Sequence, residues 1–201
     1  IGWLLMPLVA LATLGVSLLM PGEVLAADSA AVQQSMAKMG VSGLWGFFAL
    51  TLLSGLLAGV TINAVFAFGE EVAWRGFLYK EFKGRKFLTV ALIIGLVWGL
   101  WHFPLILNGH NYPQHPVPGV FMMVIMCILL TPILMYFRSK SGSVLVPAVM
   151  HGTFNAVAGI SNILVVPAND LLIGCPGLAG MIVLLLVNLC LFAYDHFCSK
   201  E

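Results

Sequence analysis

Six apolar runs, each about as long as a membrane crossing, constrain this chain more than any other feature: Trp3 to Met20, Leu44 to Phe68, Phe87 to Leu107, Val120 to Phe137, Val144 to Val166 and Leu178 to Phe197. The bilayer core offers backbone groups no water to bond, so such runs call for helices whose N–H and C=O groups pair internally. Composition agrees, with 61% of the 201 residues hydrophobic, 8% charged and a mean hydropathy of +1.04, against about 25% charged in a soluble domain. The expectation is an all-α, polytopic transmembrane helical bundle of about six spans, forming a single membrane-embedded domain over residues 1–201. The second run keeps its helical pattern as far as Phe82, about 39 residues or ~58 Å of helix, which is too long for one crossing. It either tilts and protrudes or breaks near Gly55, Gly59 and Asn63, which would make seven spans. The first run, followed by Val24-Leu25-Ala26-Ala27, lacks a basic leader and exceeds the ~7–15 apolar residues of a signal peptide, so it reads as a span.

Charge placement orients the bundle. Lys80, Lys83, Arg85 and Lys86 lie between the second and third runs, Arg138 and Lys140 between the fourth and fifth, and Lys200 after the last. All seven fall on one side of a six-span model, while the opposite loops hold Lys38 with Glu23, Asp28 and Asp170. The positive-inside rule puts the basic loops and both termini in the cytoplasm of an inner or ER-like membrane. A net charge of +1 leaves no footprint for nucleic acid. Cys127, Cys175, Cys190 and Cys198 show no metal or redox spacing and read as packing residues.

Against this apolar background, Phe68-Gly69-Glu70-Glu71-Val72-Ala73-Trp74-Arg75-Gly76 places two carboxylates and a guanidinium where a charge is costly and, by default, functional. Residues four apart on a helix share a face, so Glu71 and Arg75 form the natural ion pair. Glu70 points elsewhere and is free to act as a general base. Trp98 and His102 are one turn apart, with Pro104 just beyond removing a helical N–H and bending the chain. His151 and Asn155 are also one turn apart, two hydrogen-bond donors of the kind that suit an oxyanion. Counted at 1.5 Å per residue from the basic loops, all three clusters fall around the bilayer midplane. His110 and His115, in the turn-rich loop Asn108 to Pro118, read as solvated; Asp195 and His196 read as interfacial; Gly55 and Gly59 read as a close-packing pair.

Glu70-Glu71-x-x-x-Arg75, Trp98-x-x-x-His102 and His151-x-x-x-Asn155, in this order across successive spans, resemble the CPBP family of type II CAAX prenyl endopeptidases and Abi-type, bacteriocin-processing intramembrane proteases. The likeness covers a core of about residues 66–158; the family often has Phe where this chain has Trp98. The resemblance implies intramembrane hydrolysis of peptide bonds in membrane-associated or prenylated substrates. Glu70 with His102 would activate water, His151 with Asn155 would stabilise the oxyanion, and Glu71, Arg75 and Trp98 would support them. The expected partners are membrane lipid and a peptide or lipidated protein.

The family is often labelled a metalloprotease, and zinc held by Glu70, His102 and His151 is the alternative to a metal-free site. The absence of His-Glu-x-x-His and the presence of Asn155 favour the metal-free form. Two other functions use similar residues. A proton-coupled transporter or ion relay also places carboxylates and histidines at midplane, but it calls for an inverted repeat that the sequence does not show. A non-catalytic immunity or scaffold protein with the same fold is the other.

Overall fold

The structure, a computed structural model, describes residues 1–26 and 28–198. Lys200 lies outside them, as does the side chain of Cys198. In chain order the elements are α1 (Gly2–Ser17), β1 (Val24–Leu25), α2 (Ala30–Met39), α3 (Leu44–Val60), α4 (Ile62–Glu71), a π-helical segment (Val72–Leu78), α5 (Tyr79–Glu81), α6 (Phe87–Trp101), α7 (Phe103–Leu107), α8 (Pro116–Ser141), α9 (Leu145–Val157), α10 (Ile160–Leu164), β2 (Val165–Val166) and α11 (Leu178–Cys198). Among the described residues the fold is all-α apart from one two-residue antiparallel ladder, which pairs Val24 with Val166 and Leu25 with Val165.

By length and composition, α8 and α11 suffice to cross a membrane, and residues 32–60 make a third candidate if counted as one span bent by 67°. α1 and α6 are shorter apolar helices. Among the described residues, helix length and composition thus support two to three spans and do not confirm six. The fifth run is the clearest departure: α9 has 13 residues, or about 20 Å, well short of a ~30 Å core. After α9 the chain turns through α10 into β2, so the last third of an apolar run that hydropathy reads as one helix is short helix and strand.

The long second pattern does break. Thr61 leaves helical geometry at φ −112°, ψ −102°, and its Oγ1 donates to the carbonyl of Leu57 at 2.6 Å, the back-bonding that competes with the helical ladder. α2, which hydropathy does not reveal, has the marks of an independent helix. Ser29 Oγ accepts from Val32 N at its start, and Gly40 closes it at φ +67°.

Small residues let the helices that carry the site approach closely. A Cβ on Gly95 or Gly99 of α6 would come within 2.6 Å of Ile128 Cα or 2.5 Å of Val124 Cα on α8. Gly152 of α9 meets the backbone of α4 at Asn63 and Ala64 in the same way. Gly55 and Gly59 of α3 lie against Val157 and Thr153 of α9, which is the close packing expected of them. Trp98, Leu130, Ile133, Leu134 and Met123 fill the space between.

Candidate active site

The site starts from the break at Thr61, which allows α4 to lean onto α9 independently of α3. α4 then opens into a seven-residue π-helical stretch beginning directly after Glu71. Wider turns of this kind displace side chains from their regular helical positions. Here the stretch carries Arg75, fully buried, to three partners at once. Nη1 donates to Glu71 Oε1 at 2.9 Å, Nη2 donates to Thr131 Oγ1 on α8 at 2.9 Å, and Cζ lies 4.4 Å from the centre of the Trp98 ring. The expected Glu71–Arg75 pair is present, and the guanidinium also ties α4 to α6 and α8.

Glu71 Oε1 has a second partner that sequence reasoning missed, His151 Nδ1 at 3.0 Å. An ionised carboxylate only accepts, so Nδ1 donates this bond, and Nε2 has no partner among the described residues. Glu71 is thus a shared anchor for Arg75 and His151. Its other oxygen, Oε2, is buried with no partner among the described residues.

Glu70 is half-buried and turned away from this pair, as the helical spacing predicts. Its Oε2 accepts the indole N–H of Trp98 at 2.8 Å. His102 sits where α6 ends, and its Nδ1 bonds the carbonyl of Trp98 at 2.8 Å. A carbonyl only accepts, so here too Nδ1 holds the proton and Nε2 is left as an acceptor. Both imidazoles pack on the same indole, with ring centres 5.7 Å (His102) and 5.1 Å (His151) from that of Trp98. The side chain holding Glu70 is therefore also the floor on which the two histidines rest.

Glu70, Trp98, His102, His151 and Asn155 all line one cavity of about 410 Å³. The Asn155 side chain is exposed and makes no hydrogen bond among the described residues, whereas His151 is buried. The three sequence clusters thus meet. Two histidines expected to be solvated have particular places: His110 lines the cavity, and His115 pairs through Nδ1 with Asp170 at 2.6 Å. Asp195, at the end of α11, pairs with Lys140 at 2.9 Å. Thr131 has no sequence motif and could not have been picked out.

Among the described residues, no three His, Cys, Asp or Glu side chains gather into a metal-holding group. Glu70 Oε2 and both Nδ1 atoms are bonded to the indole, a carbonyl and Glu71, which leaves Glu70 Oε1 and the Nε2 of each ring open to other partners. Glu70, His102 and His151 do not form such a group among the described residues.

A family model described as type II CAAX prenyl endopeptidase, Rce1-like, matches residues 44–157, more than half of the chain. The chain belongs to the Rce1-like endopeptidase family. The match covers α3 to α9 and every candidate site residue. The "CAAX prenyl protease 2" of Methanococcus maripaludis is 43% identical over 44 residues, which is 21% of this chain and 16% of that protein. No solved structure matches.

Proposed function

We propose that this protein is an intramembrane endopeptidase that hydrolyses peptide bonds of membrane-associated substrates of the CAAX-prenylated kind or related to it, using water activated by Glu70 and His102. Hydrolysis needs a base, a held water and stabilisation of the tetrahedral oxyanion. Trp98 fixes one oxygen of Glu70 and leaves the other for the water. His102, with Nδ1 committed to a carbonyl, offers Nε2 as an acceptor beside it. His151 in its imidazolium form has Glu71 as counterion at Nδ1 and presents Nε2–H to the oxyanion, and the unbound amide of Asn155 is the second donor. One carboxylate, Glu70, then does the chemistry, while the other, Glu71, organises Arg75 and His151. The basic turns face the cytoplasm in this reading, and the protein is an integral, multi-pass membrane enzyme acting without a metal.

The observation that carries the proposal is the single indole of Trp98, bonded to Glu70 and in tilted and edge-on ring contact with His102 and His151 at the wall of one cavity. The test is cleavage of a lipidated or membrane-tethered peptide by purified protein. Glu70→Gln is expected to lower turnover by at least ~10²-fold, the lower end of what a general base contributes, while the protein keeps its thermal transition. Undiminished cleavage by Glu70→Gln refutes the mechanism. Glu70-dependent proton flux in vesicles without peptide cleavage would establish an ion relay instead.

A further inference from the structure

We propose that the turn between α5 and α6 is a binding site for an anionic phospholipid, whose phosphate is held by Lys80, Lys83 and Arg85. The site lies outside the catalytic cavity and does not depend on the endopeptidase reading.

The turn is wound tightly by its own backbone. Phe82 N bonds Leu78 O, Lys83 N bonds Lys80 O and Arg85 N bonds Phe82 O, each at 3.1 Å, and Gly84 takes φ +89°, which glycine adopts without strain. Beneath it lies a small apolar cluster of its own: Val90, Ala91 and Ile94 of α6 with Met135 of α8, all buried, against which Tyr79, Phe82 and Phe87 pack. A cavity of about 300 Å³ sits between turn and cluster, with Lys80, Lys83 and Arg85 on one side and Phe87, Val90 and Met135 on the other. Glu81, the acid of this turn, does not line it. Among the described residues none of the three cations forms an ion pair, and Arg85 lies over the Phe82 ring at 6.0 Å. Three like charges gathered on one turn repel one another until an anion joins them.

The surroundings select the anion. The turn leads into α6, which exposes Leu88, Leu92 and Leu96 at four-residue spacing, a single apolar row along its outer surface. A free phosphate would use the cations and leave the apolar floor unused. A phospholipid uses both: its phosphodiester meets the ammonium groups and the forked guanidinium of Arg85, and its glycerol and acyl chain meet the floor and the leucine row. An acidic peptide laid on that row would find no polar partner for its backbone. The adjoining cavity of about 500 Å³, which shares Phe87, is the weaker candidate. Its cations Lys86 and Lys140 are accompanied by Asp195, which pairs with Lys140 at 2.9 Å.

The site also adjoins the segment that positions Arg75. Tyr79 lines the cavity, Arg138 Cζ lies 5.5 Å from the centre of the Tyr79 ring, and Arg138 Nε donates to the carbonyl of Arg75 at 3.1 Å. A bound headgroup therefore braces the end of the π-helical segment and stabilises the folded state by mass action.

The test titrates delipidated, full-chain protein in non-ionic detergent with phosphatidylglycerol or phosphatidylcholine and follows Tm. Phosphatidylglycerol is expected to raise Tm saturably and phosphatidylcholine to leave it unchanged, with one phosphatidylglycerol retained in the native mass spectrum. Each cation removed should weaken the apparent affinity about fivefold, so Lys80→Gln/Lys83→Gln/Arg85→Gln should lose the shift. Its Tm without lipid should match the parent, because these side chains are exposed. Lys38→Gln, on α2, should keep the shift. If the triple variant does not fold, the single Lys83→Gln and Arg85→Gln variants decide, each with its fivefold loss. Equal shifts with both lipids, or unaltered affinity in the variants, overturn the proposal. So does the same shift with inorganic phosphate alone, which would mark a soluble-anion site, or a shift with polyglutamate and none with phosphatidylglycerol, which would mark an acidic protein partner.

Discussion

Arg75 is the side chain whose removal the site should feel most, and the size of the effect can be worked from its surroundings. The guanidinium is fully buried and offsets Glu71, itself fully buried. Substitution by Leu preserves much of the volume but leaves Glu71 with His151 as its one partner and Thr131 without its donor. Breaking a buried ion pair by removing one member costs about 3–5 kcal/mol, because the remaining charge stays desolvated. For a chain of this length each kcal/mol moves Tm by about 2–4 °C, so Arg75→Leu should lower the thermal transition by roughly 6–20 °C. Removing both charges in Glu71→Leu/Arg75→Leu deletes the stranded ion and should recover most of that loss, since apolar replacement of a whole buried pair is often neutral. Activity should not recover, because His151 has lost the acceptor that orients it. The assay is a double-mutant cycle in detergent, read by melting temperature and by peptide cleavage. If the double variant melts as low as the sum of the two singles, the pair is not coupled and the account of Arg75 as counterion is wrong.

Trp98→Phe keeps the aromatic wall and removes one hydrogen bond to a carboxylate, worth about 1.5–3 kcal/mol; kcat should fall by roughly 10- to 100-fold with KM little changed. A rise in KM at constant kcat would mean that Trp98 binds substrate and does not position Glu70. Exhaustive chelation should leave cleavage intact, and loss of activity restored by added zinc would show that Glu70, His102 and His151 rearrange around a metal.

What the sequence disclosed were the relations carried by local helical geometry. The i to i+4 spacing predicts the Glu71–Arg75 pair and the separate direction of Glu70, and both are present. The excess length of the second pattern predicts a break, which falls at Thr61, between the residues named for it. Contacts across long separations left no such mark. His151 reaches Glu71 over 80 residues and Arg75 reaches Thr131 over 56, and neither partner lies in a pattern that names the other. Hydropathy reads Val144 to Val166 as one helix because it scores apolar content and is blind to the turn at Gly159 and the pairing of Val165 and Val166 with β1. It also missed α2, whose polar residues dilute the signal. Gly95 and Gly99 were legible in principle: they have the spacing of Gly55 and Gly59 and the same packing role.

The most direct measurement of convergence is an experimental structure of Glu70→Gln protein with an uncleaved membrane-tethered peptide bound. The account predicts the scissile carbonyl in the cavity, its oxygen about 3 Å from Asn155 Nδ2 and His151 Nε2 and its carbon facing position 70. A peptide bound productively elsewhere, with Asn155 and both imidazoles uncontacted, would contradict it.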